Sequence, residues 1–410
     1  MSAAFSAPVV KGWCPGLFAP MQAADGWLVR VRPPLGRMTA AQAHLLADVA
    51  ERDGNGQISL TNRGNVQLRG FTLEAAQAFP QRMIAAGLGQ ADPEAERRLA
   101  LQVSPLAGID PACATETVLC AEALRNGLID HPELSALPDK FGFCVDGGGV
   151  FPTGSLRADI MLQAMENPVP TESGWRVVCG SSCSAPLTVQ EAVQTALALA
   201  EVFVKRGETQ RPLRVPAVGE QLFAEIGLRC LPVAGVETQD GSLPATRAGR
   251  LTGSIYAAVA PLGRLTAAML RSCAQVAQQG DGLLRMTPWS GMVFFGLKKT
   301  PEISGMITQS DDARLRVYAC IGAPGCAQSA GDVGRDALAL APFLPDKADL
   351  HVSGCRKGCA HPGAATVTLV ARGEGYGVVQ HGKAGDEPIR ILPKTEDVRA
   401  FLQALPKGDV

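Results

Sequence analysis

The stretch LGRMTAA at residues 35–41 recurs as LGRLTAA at residues 262–268, with one conservative change in seven positions. The likeness continues further along the chain, since GQISLT at 56–61 has its counterpart in GLLRMT at 282–287. An internal duplication of this kind indicates domain limits that composition alone leaves vague. We therefore expect two copies of one folding unit of about 45 residues.

Each copy has the pattern of a strand, a helix and a second strand. Residues 27–32 alternate in the manner of a half-buried strand, and residues 255–260 stand in the same place in the second copy. Thr39 begins a capping box, which predicts a helix that ends near Gly54 or Gly56. Such short units cannot bury their apolar faces alone. The copies should therefore pair about a pseudo-twofold axis, with room for a ligand between them.

A second, weaker repeat follows each copy. LPDK at residues 137–140 recurs at 344–347, at an offset of 207 residues instead of 227. The whole chain is therefore a duplicated two-part unit, and its first copy carries about 20 extra residues. We place these in the loop around residues 146–157.

Composition excludes several classes of protein. The 410 residues carry 38 basic and 39 acidic side chains, so the net charge of −1 gives no overall attraction to nucleic acid or to an anionic membrane. Twelve cysteines are too few for a secreted disulfide scaffold, and the first residues lack the pattern of a signal peptide. The longest apolar stretch, 192–204, contains polar residues and indicates an amphipathic helix. We expect a cytoplasmic protein with neither a nucleic-acid nor a membrane partner.

Four cysteines near the end of the chain form two pairs. Cys320 and Cys326 have five residues between them, and Cys355 and Cys359 have three. Thiolates from two short glycine-rich turns can hold a 4Fe-4S cluster. A single zinc ion prefers a shorter spacing than that of the first pair, and disulfides do not suit a reducing compartment. The spacing therefore predicts a 4Fe-4S cluster on the residues Cys320, Cys326, Cys355 and Cys359.

The remaining cysteines give weaker signals. Cys14 lies in a WCPG turn, where it could face a site, although a buried cysteine is the more common case. Cys179 and Cys183 repeat the C-x3-C spacing, but no second pair accompanies them. We do not expect a second metal site there.

The cysteine pairs, the duplicated unit and the segment TNRGNVQLRG at 61–70 together resemble the sulfite and nitrite reductase superfamily. The segments at 13–17, 285–289 and 353–363 are similar to its precorrin-3B synthase branch of aerobic cobalamin biosynthesis. The resemblance covers about residues 11 to 385. It implies an α+β fold, in which two ferredoxin-like half-domains and two larger α/β domains are related by a pseudo-twofold axis. The expected limits are 11–90 and 250–310 for the half-domains, and 91–235 and 311–410 for the larger domains.

The resemblance also implies an anion site. In the reductases two arginines and two lysines hold the anion beside a sirohaem, whose iron is bound by the fourth cysteine. Arg63 matches one arginine and Lys140 matches one lysine, whereas Gly142 stands at the second lysine position and residues 101–110 contain no arginine. Half of the positive charge is therefore missing, which argues against six-electron reduction. It favours the precorrin branch, which is taken to lack sirohaem.

The first copy is also locally basic. Between residues 30 and 69 it has six arginines and three acids, a local charge of +3, whereas the aligned positions 289, 293 and 295 of the second copy are apolar. On one extended strand, residues 61, 63, 65, 67 and 69 would share a face and suit a ligand with many carboxylates. An ordinary solvated face, or a tight turn at 62–65, stays an alternative. The candidate substrate-binding residues are Arg30, Arg32, Arg63, Asn65, Arg69 and Lys140.

The activity that the resemblance implies is an O2-dependent hydroxylation of precorrin-3A, with closure of a lactone by an acetate side chain. The cluster would relay electrons, and a mononuclear non-haem iron would serve the oxygen chemistry. Among the five histidines no ligand set for that iron is evident, although His361 is the nearest to the cluster and His44 suits helix packing. No residue is assigned a catalytic role. No dinucleotide-binding motif is present, so the electrons of NADH or NADPH should arrive through an external reductase. The alternatives are a sirohaem sulfite or nitrite reductase and a tetrapyrrole-binding protein without activity.

Overall fold

A computed structural model describes residues 14–154, 158–165, 174–233, 246–373 and 375–406. Small parts of the predicted domains lie outside these residues, namely 11–13, 155–157, 166–173, 234–235, 374 and 407–410. The described chain forms four β-sheets with helices packed on them. This is the α+β architecture that the sequence predicts.

The first half-domain and the large domain that follows it contain these elements: β1 Met21–Ala23, β2 Gly26–Val31, β3 Arg37–Thr39, α1 Ala40–Arg52, β4 Gln57–Leu60, β5 Val66–Phe71, α2 Leu73–Ala85, α3 Pro93–Arg98, β6 Leu101–Val103, α4 Thr117–Asp130, β7 Phe143–Asp146, β8 Ile160–Ala164, β9 Trp175–Cys179, β10 Ser182–Cys183, α5 Val189–Lys205, α6 Ala217–Glu225 and β11 Leu231–Pro232.

The second half-domain and its large domain contain these elements: β12 Gly249–Thr252, β13 Ile255–Val259, β14 Arg264–Thr266, α7 Ala267–Ala277, β15 Leu283–Met286, β16 Gly291–Phe295, β17 Val317–Ala319, α8 Val333–Leu340, β18 Leu350–Ser353, β19 Ala365–Arg372, β20 Gly375–Gly382, β21 Arg390–Leu392 and α9 Thr395–Gln403. Short 3-10 helices occur at Pro34–Gly36, Pro132–Ala136, Pro261–Gly263, Ala313–Arg316 and Ala341–Phe343.

The two half-domains exchange a strand. The first sheet has the order β1-β2-β5-β4-β14 and the second sheet has the order β12-β13-β16-β15-β3, so each copy donates its short strand to the sheet of the other. The amide of Ala40 donates to the carbonyl oxygen of Gly282 at 3.0 Å, and the amide of Ala267 donates to that of Gly56 at 3.1 Å. This reciprocal pairing confirms the predicted pseudo-twofold relation.

The helices that follow the exchanged strands pack in one shared core. Thr39 and Gln42 form the predicted capping box, with backbone to side-chain distances of 3.2 and 2.8 Å. The buried side chains of α1 and α7, Leu46 and Leu270 among them, meet strand residues such as Ile58. Because the half-domains share this core, the limits of the individual domains stay predictions.

The two large domains repeat a second topology. The six-stranded sheet has the order β11-β10-β9-β8-β7-β6 and the five-stranded sheet has the order β17-β18-β19-β20-β21. Strands β6, β7 and β8 are parallel to one another, as are β17, β18 and β19. The two LPDK runs, 137–140 and 344–347, precede the equivalent strands β7 and β18, which accounts for the weaker repeat.

The predicted position of the extra residues in the first copy is wrong. They lie before residue 137, where α2 and α3 separate β5 from β6 and where α4 is longer than α8. The loop between β7 and β8 is only two residues longer than its counterpart between β18 and β19, at 13 against 11 residues. The apolar stretch 192–204 lies in α5, which buries one face. In the described chain no helix is both long and apolar enough to cross a bilayer.

Candidate functional site

A tight turn joins β4 to β5. The amide of Thr61 donates to the carbonyl oxygen of Asn65 at 2.9 Å, and the Thr61 hydroxyl accepts from the amides of Arg63 and Asn65 at 3.3 and 3.2 Å. Gly64 supplies the left-handed conformation that the turn needs, with φ of +67°. The single extended face predicted for residues 61 to 69 is therefore wrong, and the alternative of a turn is correct. Arg63 and Asn65 lie at the tip of a hairpin.

Three predicted arginines come together near this turn. Arg30 donates to the side chain of Gln67 at 2.9 Å, and Arg32 donates to the carbonyl oxygen of Glu96 at 2.7 Å. Burial is the largest cause of the lowered pKa of all three guanidinium groups, and a neighbouring guanidinium lowers each one further. Arg32, Arg63 and Asn65 line one small cleft. The structure thus concentrates positive charge in a half-buried place.

Arg63 is half-buried and has no hydrogen bond or ion pair from its side chain to any residue that the structure describes. Nε of Arg30 is also buried, and it has no hydrogen-bond partner among the described residues. The Cys14 thiol lies close enough to the Arg30 guanidinium to raise its pKa, so Cys14 does face this group. The Glu96 carboxylate lines the same cleft, 3.9 Å from Arg32, and offsets part of the positive charge. The unpaired Arg63 guanidinium still requires an anion for full compensation.

Lys140 and Arg69 do not line the cleft that contains Arg32 and Arg63. Lys140 is exposed in the turn that leads to β7. Arg69 is buried, forms two hydrogen bonds of 2.9 and 2.8 Å with Asp25, and donates to the carbonyl oxygen of Gly325 at 2.9 Å. A β-bulge at Arg69 and Gly70 shifts the register of β5 against β2. This geometry favours a positioning role for Arg69 over the predicted contact with substrate.

The four predicted cysteines lie on two loops of the second large domain. Cys320 follows β17 and Cys355 follows β18, so both loops leave the carboxyl ends of neighbouring parallel strands. Burial raises the pKa of the Cys359 thiol, and the charges of the other three cysteines raise it further, since the four thiols converge. The amide of Gly354 donates to Sγ of Cys320 at 3.1 Å. Amides directed at sulfur are typical of iron-sulfur sites.

The spacing of the thiols fits a cluster better than a single ion. Within the described residues, no three of these sulfurs lie within 4.8 Å of one another. A tetrahedral zinc site, with Zn–S bonds of about 2.3 Å, would hold its sulfurs about 3.8 Å apart. None of the twelve cysteines forms a disulfide, and Cys179 and Cys183 are buried. The residues therefore fit a 4Fe-4S cluster.

The repeated arginine of the LGR motif anchors the loops, a role that the sequence analysis missed. Arg264 donates to the carbonyl oxygens of Ala319, at 2.9 Å, and of Cys320. Its counterpart Arg37 donates to the carbonyl oxygen of Ala107 at 2.6 Å, in the loop after β6. The recurrence of both arginines in the repeat was the sequence signal that could have revealed this role. Each half-domain thus holds the first loop of one large domain.

The outer faces of the first and second sheets differ. Arg30 pairs with Gln67 in the first sheet, and Ala257 pairs with Val293 at the same place in the second sheet. Trp289 of the second copy packs against Phe151 at 4.8 Å between ring centres, inside an apolar cluster. The second face is therefore sealed by the first large domain, and the first face stays polar.

A cavity of about 290 Å³ lies beside the polar face. Ser59 of the first sheet lines it together with Ile321 and Gly325 of the cysteine loop. Arg69 connects the same sheet to the same loop. The first copy and the cysteine loops of the second copy therefore meet, as the sequence predicts.

The described histidines form no two-histidine iron site, and the sequence had indicated no ligand set for that iron. His351 is fully buried, and neither ring nitrogen has a hydrogen-bond partner among the described residues. Burial, and then the charge of His361, lower its pKa to about 4. His361 stacks on Tyr318 at 4.5 Å, and His44 lies half-buried on α1. No two histidines and a carboxylate have ligand atoms within 4.8 Å in the described ranges, so these residues do not fit a two-histidine iron centre.

Comparisons with known proteins agree with this architecture. The nitrite/sulfite reductase ferredoxin-like half domain family matches residues 20–86 and 249–302. A precorrin-3B synthase from Sinorhizobium sp. is 32% identical, over 92% of this chain and 84% of that protein. A ferredoxin–nitrite reductase from Synechococcus elongatus is 25% identical, over 84% and 76%. The solved structure of the Mycobacterium tuberculosis NirA protein has the same fold, with a TM-score of 0.68 at 18% identity, over 94% of this chain and 82% of that chain.

Proposed function

Because the chain belongs to the precorrin-3B synthase family of nitrite and sulfite reductase-like proteins, we propose that it converts precorrin-3A to precorrin-3B. The reaction inserts one atom of O2 as a hydroxyl group and closes a lactone with an acetate side chain. The other oxygen atom leaves as water. Two electrons and two protons are therefore needed from an external donor, a reductase that uses NADH or NADPH.

The difference between the outer faces of the two half-domain sheets is the main support for the proposal. The second sheet is sealed by apolar side chains around Trp289, and the first sheet presents an open polar face near unpaired Arg63. A tetrapyrrole that bears several carboxylates suits such a face, because guanidinium groups bind carboxylates with two parallel hydrogen bonds. Arg30, Arg32 and Asn65 extend the donor set.

The cysteine quartet fits a 4Fe-4S cluster, which supplies single electrons when bound. In this chain Arg69 and Arg264 fix the backbone of the loop that carries Cys320 and Cys326. The Gly354 amide stabilises negative charge on Cys320. These contacts hold the thiols in place beside the polar face.

We include no sirohaem in the proposal. Glycine at 142 removes a cation that the reductases use for their anion, and the chain offers Arg63 and Lys140 alone from that set. A mononuclear iron stays part of the proposed chemistry by resemblance only, since the described residues offer no two-histidine site for it. No step is assigned to it.

The test is a reaction under 18O2 with precorrin-3A, NADH and a reductase, followed by mass spectrometry. The expected product has gained one oxygen atom, and that atom carries the label. The absorption spectrum of the anaerobically purified protein gives a second measure. A broad iron-sulfur shoulder without the strong Soret band of sirohaem is expected.

The alternative is a sirohaem-dependent nitrite or sulfite reductase, which the nitrite reductase relatives favour. A Soret band, together with reduction of nitrite or sulfite by a dye donor, would establish it in place of our proposal. Tetrapyrrole binding with no turnover under either condition would indicate a binding protein.

A further inference from the structure

We infer that Arg264 sets the reduction potential of the proposed 4Fe-4S cluster, because it fixes a positive charge against the backbone of Cys320. Arg264 thus acts as a positioning residue that makes the cluster easier to reduce. The inference rests on the cluster that the proposed function includes, and it does not depend on which tetrapyrrole is the substrate. One electron passes from the external reductase, which is oxidised, to the cluster, where one ferric ion becomes ferrous, so no proton and no covalent bond take part.

The strand exchange brings Arg264 to the cysteine loop. Arg264 begins β14, which pairs with β4 of the first sheet, so that Arg264 lies opposite Ser59. Its Nη2 atom donates to the carbonyl oxygen of Ala319 at 2.9 Å and to that of Cys320. Ala319 is the last residue of β17, and Cys320 is the first residue of the loop. One guanidinium nitrogen is therefore held at the point where the strand ends and the loop begins.

A glycine of α8 makes room for this guanidinium group. A Cβ atom placed on Gly334, in the first turn of α8, would overlap Nη1 of Arg264. Any other residue at position 334 would therefore have to displace the guanidinium group from the carbonyl oxygens that it binds. Arg264 is half-buried as a result, held between the cysteine loop and the start of α8.

The charge of Arg264 has no directly paired acid. Among the described residues, no carboxylate forms an ion pair with it, and both of its hydrogen bonds are to neutral carbonyl oxygens. Asp332 lines the same cavity, but its carboxylate accepts from an amide at the start of α8. Arg69, which also reaches this loop, is neutralised by its bidentate pair with Asp25. The charged group in contact with Cys320 is therefore the Arg264 guanidinium.

This charge lies close enough to the sulfur to affect the cluster. Within one cysteine the carbonyl oxygen and Sγ are at most about 5 Å apart, so Nη2 of Arg264 lies within about 8 Å of Sγ of Cys320. Reduction adds one negative charge to the cluster, which a nearby cation stabilises. At about 8 Å and an effective dielectric constant of about 20 to 60, Coulomb's law makes reduction about 3- to 30-fold more favourable. The amide of Gly354, which donates to the same sulfur at 3.1 Å, acts in the same direction.

The first copy keeps the same arrangement without a sulfur atom. Ser104 follows β6 in the position that a predicted cluster cysteine has after β17, and its hydroxyl accepts from the amide of Gly147 at 3.0 Å. Arg37, the counterpart of Arg264, donates to the carbonyl oxygen of Ala107 in this loop at 2.6 Å. The two arginines therefore hold equivalent loops, and the predicted cluster cysteines lie on the second one. Arg37 is thus a matched control for Arg264 within the same chain.

The experiment is a redox titration of the anaerobically purified protein, in which the visible and EPR spectra give the midpoint potential of the cluster. Arg264→Gln keeps an amide donor but loses the charge, so the ratio of reduced to oxidised cluster at the wild-type midpoint should fall about 3- to 30-fold. This fall is equivalent to a potential about 30 to 90 mV lower, at about 59 mV for each tenfold change in a one-electron couple. Arg264→Lys should recover most of the shift, because it keeps the charge.

The control variant Arg37→Gln should lose thermal stability to a similar extent and keep the wild-type potential. A purely structural role for Arg264 predicts fewer bound clusters, with an unchanged potential in those that remain. An unchanged potential in Arg264→Gln would therefore overturn the inference. A shift in Arg264→Lys as large as that in Arg264→Gln, or an equal shift in Arg37→Gln, would overturn it as well.

A second variant decides the case in which Arg264→Gln binds no cluster. Asp332→Asn keeps an N-cap residue for α8 and removes the acid that shares the cavity with Arg264. The inference expects the ratio of reduced to oxidised cluster at the wild-type midpoint to rise about twofold or more, and an unchanged ratio would overturn it. Wild-type protein without a cluster would overturn the cofactor part of the proposed function, and the inference with it. A wild-type cluster with unchanged potentials in the variants would overturn the inference alone.

Discussion

Arg63 and Trp289 occupy the same position of two five-residue turns that share one pattern of hydrogen bonds. In each turn a threonine hydroxyl accepts from the amide of this residue, at 3.3 Å in both copies, and from the amide two residues later. The duplication has thus kept the backbone of the turn and changed the chemistry at its tip. One copy presents a cation to an open cleft, and the other inserts an aromatic ring into a core.

Removal of the unpaired cation should weaken substrate binding. Arg63→Ala is expected to raise the Kd for precorrin-3A by about 10- to 150-fold, because one charge-assisted contact is lost. Arg63→Lys should recover part of the affinity, and added salt should reduce the affinity of the wild type. Lys140→Ala should also raise the Kd for precorrin-3A. Arg52→Ala, an exposed arginine of the same half-domain, is the control. Unchanged affinity in both Arg63→Ala and Lys140→Ala would mean that the carboxylates are held elsewhere.

Replacement of one cluster cysteine should remove the cluster. Cys355→Ser is expected to abolish the iron-sulfur absorbance and the activity, because one of four thiolates is lost. Cys179→Ser is the matched control, since Cys179 and Cys183 have the same C-x3-C spacing but lie buried in the first large domain. Iron and sulfide analysis with the visible spectrum provides the measurement. Full cluster absorbance in Cys355→Ser would contradict the ligand assignment.

The buried His351 should make the protein less stable in acid. Its pKa is about 4 in the fold and 6.5 ordinarily, so the unfolded chain binds the proton first as the pH falls. The contribution of His351 to the free energy of unfolding is therefore fully present above pH 6.5. It declines as the pH falls toward 4, by about 3 kcal/mol at most. Urea unfolding at several pH values measures this decline. His351→Phe should show a smaller decline, whereas exposed His381→Gln should behave as the wild type. Equal declines in all three proteins would exclude His351 as the cause.

The ion pair that reaches the cysteine loop should matter for stability. Arg69→Met leaves Asp25 without its bidentate partner in a buried place and frees the Gly325 carbonyl group, which should cost about 3 kcal/mol of the free energy of unfolding. The cluster should also bleach faster in air. Arg52→Met, which breaks a surface pair with Asp53, should cost less than about 1 kcal/mol. A stability loss in Arg69→Met no larger than in the control would contradict this role.

The sequence predicted much of the fold, because repeated local signals reveal repeated elements. The LGR repeat located both helices, and the Thr39 capping box is present. The exchange of β3 and β14 could not be predicted, since strands of three residues carry no information about their partner. The extra residues were misplaced although Thr72 and Asp92 are ordinary N-caps for α2 and α3. In the described chain no α-helix stands between β16 and β17 of the second copy, so the repeat offered nothing with which to align them.

The site was predicted in part. Spacing alone selected the four cysteines, whose thiols converge, and composition selected Arg30, Arg32 and Arg63, which lie together.

The role of Arg264 was missed, although this arginine recurs in the repeat, because the carbonyl groups of Ala319 and Cys320 that it binds lie 55 and 56 residues away. Arg69 was predicted to contact the substrate, but its guanidinium group binds Asp25 and the carbonyl oxygen of Gly325. An alternating pattern cannot reveal partners that lie so far away along the chain.

The strand exchange also affects how the protein is made. During synthesis the edge of β4 emerges early, but its partner β14 is joined only after the entire first large domain has been translated. Until then the nascent chain exposes an unpaired strand edge, the kind of surface that promotes association between chains. Slow closure of this sheet, after the first large domain has been translated, is therefore expected, and a chain that stops before residue 264 leaves its first half-domain unfinished.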